Sequence, residues 1–379
     1  MKKIAWLLSL CLLVTWFAGC VGDPADPTET AAPTEPEKLF ITSDEVDLRQ
    51  MVVDYMLAMA NVQWTAGVTI DYSSYSSSLV YESGKTYLGM VYNNNRNGYE
   101  AFMDLLDENN CHTGTITGWS SAVGNSCATC IEHAWQLISP TVEYEYSIDM
   151  MPYYENTGVV PIGDIDWSCY NGTNTNSIIS QHDRQTIFEA YAQMLPGDAL
   201  VRYQNTGGHA LMLTKEPTIV RNPDGSINMV QSYLYLTDQN NRLHNRREYP
   251  SSWEVDRPMT FSNAFQEGYL PVTVAELRDG QAPVPTFTVT APTAENLSAG
   301  NVKGSVRSNY CLNTLRMELR SGETLVATAV AHPYERSCGF SDLGKDLKIA
   351  DLPAGQYTLT IIAEVGLATQ TIVETTFTK

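Results

Sequence analysis

Basic side chains are scarce in this chain. Its 379 residues include 23 Lys and Arg against 43 Asp and Glu, which gives a formal net charge of −20. A nucleic-acid partner requires clusters of positive charge that neutralise phosphates, so this balance argues against one. The sequence also lacks internal repeats and, after its first residues, any apolar run long enough to span a membrane.

Metal-binding patterns are missing as well. The chain has six histidines, but no closely spaced His and Glu residues and no set of four cysteines with metal-ligand spacing. Zinc hydrolases depend on such patterns. We therefore expect no metal and no other cofactor.

One segment places a cysteine at the start of a predicted helix. Residues 124–135 have the sequence Gly-Asn-Ser-Cys-Ala-Thr-Cys-Ile-Glu-His-Ala-Trp. Apolar residues recur from Cys130 at three- and four-residue spacing until Pro140, which predicts a helix that begins near Cys127. A thiol on the first turn of a helix and beside an imidazole has a lowered pKa. Cys127 is therefore the predicted nucleophile.

Cys127 has other interpretations. Cys130 lies one turn further along on the apolar face, where burial raises the pKa of a thiol, so it is the weaker candidate nucleophile. A cysteine of an exported protein can also be a core or disulfide residue. Finally, Cys127 and Cys130 have the spacing of a redox dithiol, although that motif should follow a strand and residues 115–126 are loop-like.

His209 has the surroundings that a catalytic base needs. It begins the apolar run His-Ala-Leu-Met-Leu-Thr, which predicts a central strand, and two glycines before it allow another group to approach closely. We predict that His209 is the base. The alternative is a histidine at the edge of the core that bonds a backbone carbonyl.

A third polar group is expected to orient the imidazole. After His209 the chain turns at Asn222-Pro-Asp-Gly225 and returns as a predicted strand, 227–237, that ends in Asp238 and Gln239. This hairpin brings both side chains next to the strand of His209. Side chains alternate between the two faces of a strand, but without the pairing register the sequence does not show whether Asp238 or Gln239 faces His209. Either residue can also be no more than a polar residue at the end of a strand.

These segments resemble the NlpC-type cell-wall peptidases, a branch of the papain-like cysteine hydrolases. The family's nucleophile segment is Asp-Cys-Ser-Gly/Ser-Phe-Val, followed by a Trp, and residues 126–131 with Trp135 follow it in register, with Cys130 at the aromatic position. Pro196-Gly-Asp198 and Gly208-His209 match the strand pair that carries the family's base. Thr237-Asp238-Gln239 matches the position of its third polar residue.

The resemblance covers residues 40–275 and implies a fold and an activity. The fold is a papain-like domain of helices packed on an antiparallel sheet, and the activity is hydrolysis of an amide bond in peptidoglycan stem peptides. Tyr87-Leu-Gly-Met-Val-Tyr92 resembles a segment of related exported members in which a tyrosine lines the substrate groove. Tyr87 and Tyr92 are therefore the implied substrate-binding residues.

Two other functions remain open for the same segments. The chain can be a surface lipoprotein that binds the wall through a degenerate hydrolase fold without catalysis. Alternatively, the same dyad can serve a cysteine amidase or transferase that acts on another substrate.

The first residues predict export. Two lysines precede an apolar stretch at residues 4–18, and the following Cys20 completes a segment that resembles a bacterial lipobox. We expect a signal peptide over 1–19, lipidation of Cys20 and attachment to the membrane through that lipid, in the bacterial cell envelope. An uncleaved anchor is disfavoured, since about 15 apolar residues are short for a ~30 Å hydrocarbon core. Residues 20–38 predict a flexible tether, because they are rich in Pro, Thr, Glu and Ala.

The order of elements predicts an α+β domain over residues 39–280, with helices first and a sheet afterwards. Thr42-Ser-Asp-Glu45 has the pattern of a capping box that opens a helix ending near Asn61. Other helices are predicted at 99–107 and 184–195, and strands at 199–203, 209–214, 217–221 and 227–237.

From Pro283 the pattern changes to short runs, several of them alternating, that are separated by Gly, Asn, Pro and Ser. This predicts an all-β, immunoglobulin-like sandwich over residues 283–379. The predicted strands are 286–291, 301–307, 315–320, 324–331, 346–349 and 356–365. An exported protein permits disulfides, and Cys111 with Cys169 and Cys311 with Cys338 are candidate pairs, although the sequence does not fix connectivity.

Overall fold

A computed structural model describes residues 38–379, apart from 77, 113–122, 145, 153–156 and 206. The predicted signal peptide, Cys20 and the tether up to residue 37 lie outside the described residues. None of the helices in the described part of the chain combines the length and apolar character needed to cross a bilayer.

Helices and strands are mixed along the chain, which confirms the α+β class. The helices are α1 Leu48–Asn61, α2 Tyr99–Met103, α3 Cys127–Gln136, α4 Asn176–Ile179, α5 Arg184–Ala192, α6 Phe261–Gln266, α7 Ala275–Asp279, α8 Ala294–Ser298 and α9 Phe340–Leu343. Short 3₁₀ helices lie at Trp167–Cys169, Gly344–Leu347 and Ile349–Asp351.

The strands before residue 284 form three sheets. Their bounds are β1 Phe40–Thr42, β2 Gln63–Ala66, β3 Ile70–Asp71, β4 Val80–Tyr81, β5 Thr86–Leu88, β6 Cys111–His112, β7 Val159–Pro161, β8 Ala199–Gln204, β9 Gly207–Thr218, β10 Tyr233–Arg246, β11 Tyr249–Thr260, β12 Leu270–Val274 and β13 Gln281–Pro283. The main sheet has nine strands in the order β6-β2-β5-β11-β10-β9-β8-β12-β7. Strands β8 to β11 pair as an antiparallel meander, whereas β5 joins β11, and β6 joins β2, in parallel, so the main sheet is mixed and not the antiparallel sheet that was expected.

Helix α3 packs against β9 and β10 of this meander. Ser126 is its N-cap, and the Ser126 backbone N–H donates to the Thr129 hydroxyl at 2.7 Å, so the helix begins at Cys127. Trp135 is fully buried, and its indole N–H donates to the Gly197 carbonyl at 2.8 Å. The helix is thus fixed to the turn that leads into β8.

Several predicted bounds need correction. Thr42 and Glu45 do bond, but within a turn; α1 begins only at Leu48, where Asp47 caps it by accepting from the Gln50 N–H at 3.0 Å. In place of the strands predicted at 209–214 and 217–221 the chain forms the single strand β9, which ends at Thr218. The strand predicted at 227–237 begins only at Tyr233, as β10, and runs through Asp238 to Arg246 because it continues into a long hairpin with β11. The helices predicted at 99–107 and 184–195 end earlier, as α2 and α5.

The C-terminal strands form two sheets that share a second hydrophobic core. They are β14 Phe287–Thr290, β15 Ser305–Ser308, β16 Thr314–Ser321, β17 Thr324–Ala331, β18 Ser337–Gly339, β19 Gln356–Val365 and β20 Ala368–Thr378. The sheet orders are β14-β15-β18 and β17-β16-β19-β20. Residues 346–349 do not form the predicted strand, since the chain there makes two 3₁₀ helices around Lys348, whose φ is 49°.

Connections between the C-terminal strands contact the helix that carries Cys127, and Leu39–Lys379 form one unit. The Tyr334 ring packs edge-on against His133 of α3 with 4.9 Å between the centroids, and the Tyr334 hydroxyl accepts the Ala101 N–H at 3.1 Å. The Tyr310 hydroxyl lies 3.2 Å from the carbonyl oxygen of Ile138, just beyond the helix. Tyr334 and Tyr310 therefore join the C-terminal part of the chain to α3 and to the residues that follow it.

The six described cysteines are free, so neither candidate disulfide is present. Cys111 lies in β6 at one edge of the nine-stranded sheet, whereas Cys169 lies in a 3₁₀ helix near β8, towards the other edge. Cys338 lies in β18 opposite Val306, while Cys311 precedes a residue that bonds the backbone of Glu335.

Candidate active site

Cys127 is the first residue of α3 and lies half-buried at the edge of a groove. Burial alone would raise the pKa of its thiol. The neighbouring His209 imidazole and the Ala210 backbone N–H favour the thiolate, and together they lower the pKa of Cys127 below its usual value. The start of the helix favours negative charge as well.

His209 lies in β9 between Cys127 and a buried carboxylate. Its Nε2 is 3.0 Å from Oδ2 of Asp238, which is 1% exposed. Burial lowers the pKa of His209, but the adjacent Cys127 and Asp238 outweigh that effect and raise the pKa to about 10. At neutral pH these shifts favour a thiolate next to an imidazolium.

The structure brings Asp238, and not Gln239, to His209. Asp238 is held in place by Asn240, whose Nδ2 donates to Oδ2 at 2.8 Å, and Arg257 lies 3.8 Å from Oδ1. Gln239 faces away, because neighbouring side chains of a strand point to opposite faces. Its Nε2 donates to the carbonyl oxygen of Met90 at 2.9 Å.

The groove beside Cys127 has a volume of about 310 Å³. Sequence reasoning missed several of its lining residues, among them Tyr75, Tyr146, Ser147 and Tyr203. Apart from Cys127, the described lining residues are uncharged. These side chains come from separate loops and strand ends, and an abundance of 21 tyrosines was their only sequence signal.

Gly208 lets Ser147 approach the backbone next to His209 closely, as expected for a glycine at this position. A Cβ at this position would lie 2.0 Å from Oγ of Ser147 and 2.9 Å from the carbonyl oxygen of Arg202. A side chain would therefore push away the loop that carries Ser147, and with it one wall of the groove.

The two implied substrate-binding tyrosines occupy different places. Tyr92 lines the groove next to Cys127, and burial raises its pKa, so its hydroxyl stays protonated. Tyr87 is 1% exposed and packs with its ring centroid 5.3 Å from that of Trp64, while its hydroxyl accepts the Glu82 N–H. A tyrosine enclosed in this way does not reach substrate, so we revise the expectation for Tyr87.

The buried Glu132 of α3 connects the helix to both walls of the groove. It is fully buried and accepts hydrogen bonds from two guanidinium nitrogens of Arg96 and from the Tyr144 backbone N–H at 3.1 Å. Arg96 follows the segment with Tyr92, and Tyr144 precedes the loop with Ser147. Burial raises the pKa of Glu132 to about 7 against the opposing effect of Arg96.

Replacing Glu132 with alanine is expected to destabilise the fold by about 2–4 kcal/mol. The change leaves the buried Tyr144 N–H without its acceptor, whereas Arg96, at 39% side-chain exposure, regains water. Urea unfolding at pH 8 measures the effect. The matched control is Glu143→Ala, which removes a glutamate that is 68% exposed, and an equal loss in both variants contradicts a supporting role for Glu132.

Within the described residues, no group of three or more His, Cys, Asp and Glu is placed to hold a metal ion. The chemistry that this arrangement supports is nucleophilic attack by a thiolate, with the imidazole as acid and base. No protein-family model, curated protein or solved structure matches this chain.

For attack of the Cys127 thiolate on a carbonyl substrate, replacing Tyr92 with phenylalanine is expected to lower kcat by about tenfold to a hundredfold, because a protonated hydroxyl beside the nucleophile stabilises charge on the substrate oxygen. Steady-state kinetics measure the change. Tyr87→Phe is the control, since the Tyr87 hydroxyl accepts the Glu82 backbone N–H and Tyr87 does not line the groove, and it should leave kcat within about twofold. Equal effects of Tyr92→Phe and Tyr87→Phe on kcat would contradict a role of the Tyr92 hydroxyl in the reaction.

Proposed function

We propose that the protein is a cysteine hydrolase that cleaves amide bonds. The observation that carries the proposal is the ordered array of Cys127, His209 and Asp238, with the sulfur at an accessible groove. A nucleophile that starts a helix, packed on antiparallel strands that supply the imidazole and carboxylate, resembles the arrangement of papain-like hydrolases.

The mechanism has two stages. The thiolate of Cys127 attacks the carbonyl carbon, and the oxygen that becomes negative lies near the helix start, where the Cys127 backbone N–H and the Tyr92 hydroxyl can donate. The His209 imidazolium then protonates the leaving amine, and a thioester remains. Neutral His209 removes a proton from water, which attacks the thioester and releases the acid and the thiolate.

Asp238 keeps the His209 imidazole in the tautomer that this cycle requires. By accepting from Nε2, it leaves Nδ1 of His209 to exchange protons with Cys127 and with the leaving group. Its own burial and its bond from Asn240 fix the carboxylate. The imidazole therefore needs no reorientation between the two stages.

The substrate that we propose is a peptidoglycan stem peptide. Three features support it: the likeness of the Cys127 and His209 segments to NlpC-type wall peptidases, the lipoprotein-like leader, and the tether between that leader and the domain. A lipid on Cys20 would hold the enzyme at the membrane face of the cell envelope, within reach of the wall.

Digestion of purified wall by the chain that begins at Leu39 tests the proposal. We expect mass spectrometry to find new amino and carboxyl termini within the stem peptides, and prior treatment with iodoacetamide to prevent them. Intact wall that nevertheless retains the protein would favour the wall-binding alternative. Cleavage of simple amides, or transfer to an added amine, without wall cleavage would favour an amidase or transferase.

A further inference from the structure

The nucleophile has a second thiol directly behind it that the hydrolytic mechanism does not use. Cys130 lies one turn along α3, is fully buried, and its sulfur is 3.3 Å from the carbonyl oxygen of Cys127. It stands where the resembled family has an aromatic residue. Burial, and then the neighbouring charge at Cys127, raise the pKa of Cys130, so the turn holds one reactive thiolate and one protonated thiol.

The helix places these two cysteines one turn apart, close to the separation that a disulfide spans. Residues three apart in a helix have Cβ atoms about 5–6 Å from each other, and a disulfide needs about 3.5–4.5 Å. Cys127 is the first helical residue, and its backbone lies on a helix end that lacks preceding turns. A local tightening of the first turn therefore closes the remaining gap.

We propose that Cys127 and Cys130 form a reversible disulfide, which makes this turn a site of oxidative modification by peroxides. The thiolate of Cys127 attacks one peroxide oxygen, the O–O bond breaks, and a sulfenic acid and an alkoxide or hydroxide result. The Cys130 sulfur then displaces the sulfenic oxygen as water, after donating its proton. The two thiols are oxidised by two electrons and the peroxide is reduced by two.

The disulfide would switch off any chemistry of Cys127 and protect its sulfur. A sulfenic acid that meets no thiol is oxidised further to the irreversible sulfinic acid, whereas a disulfide returns to thiols with a reductant. Because Cys130 is buried, external reagents reach the pair through the Cys127 side of the groove. The inference needs only these two thiols and stands apart from the proposed hydrolysis.

Peroxide titration with differential alkylation tests the modification. The protein is treated with about one equivalent of hydrogen peroxide, unfolded and alkylated with iodoacetamide, then reduced and alkylated with N-ethylmaleimide. We expect Cys127 and Cys130 to acquire the second label together, and dithiothreitol before the first label to reverse this. Recovery of Cys127 as a sulfinic acid, or paired with another cysteine while Cys130 keeps the first label, would overturn the proposal.

Two variants isolate the role of Cys130. With an excess of about five equivalents of peroxide, Cys127 in Cys130→Ala should pass through the sulfenic acid to the sulfinic acid, and dithiothreitol should then restore about tenfold less Cys127 thiol than in the unmodified protein. Cys311→Ala, which removes another largely enclosed free thiol, should retain full reversibility. Equal recovery in all three proteins would contradict the proposal. The labelling does not depend on hydrolysis, so its failure and that of the proposed function are distinguishable.

Discussion

Replacing Cys127 with alanine is expected to lower amide hydrolysis by at least about 10³-fold. The variant keeps the N-terminal turn of α3, since the cap is made by Ser126 and Thr129, but it has no group that can form the thioester. Cys127→Ser tests the same point through acidity, because a serine hydroxyl remains protonated where the thiol is ionised. The release of new amino termini from wall or a model amide measures both.

Cys130→Ala is the matched control for Cys127→Ala. It removes a thiol of the same helix whose sulfur is buried and contacts the backbone rather than the groove. We expect hydrolysis within about threefold of the unmodified protein under reducing conditions, together with a small loss of stability from the cavity. Should Cys127→Ala keep its activity while Cys130→Ala loses it, the assignment of the nucleophile is wrong.

The pH dependence of thiol alkylation gives a second measurement on the unmodified protein. Because the pKa of Cys127 is lowered and that of Cys130 is raised, iodoacetamide should label Cys127 with a pH midpoint below that of an ordinary thiol and leave Cys130 unlabelled in the folded state. Labelling of Cys127 only above about pH 8.5 would indicate an unactivated thiol.

The sequence predicted that Cys127 begins a helix and that His209 lies in a strand, because each of these elements is determined by residues close to it in the chain. The apolar repeat and Pro140 bound a helix near Cys127, and the apolar run after His209 marks a buried strand. These signals act over a few residues. They hold even when the distant pairing of the chain is unknown.

The choice between Asp238 and Gln239 could not be made from the sequence, because it depends on strand register. Strand β10 shifts register against β9 near Tyr235 and against β11 between Leu236 and Asp238. Each irregularity interrupts simple alternation, so counting residues along the strand does not give the face. Only the pairing of three strands places Asp238 toward His209.

The separation of Tyr92 from Tyr87 has a similar physical origin. The two tyrosines lie in one short segment, but Gly89 turns the chain between them with φ of 77°. A Cβ at Gly89 would lie 2.2 Å from the Trp253 ring, so the backbone passes directly over that indole. Tyr87 consequently stays in the aromatic core, while Tyr92 reaches the groove.

Replacing Asp238 with asparagine is expected to lower kcat by about 10²–10⁴-fold. The amide can present its Nδ2 donors to Nε2 of His209, which favours the tautomer that cannot exchange a proton with Cys127. The loss of charge also lowers the pKa of His209, since Asp238 is one of the two groups that raise it to about 10 against burial.

The direction in which the pH profile of Asp238→Asn shifts follows from the ion pair between the Cys127 thiolate and the His209 imidazolium. Activity requires the imidazolium, which persists below the pKa of His209, so a lower pKa moves the alkaline limit of the kcat profile in Asp238→Asn to lower pH. Asp256→Asn is the control, because this aspartate of β11 bonds Thr214 and Lys215 instead of His209. We expect the control to retain the profile of the unmodified protein. An unchanged alkaline limit in Asp238→Asn would show that the carboxylate does not support the imidazolium.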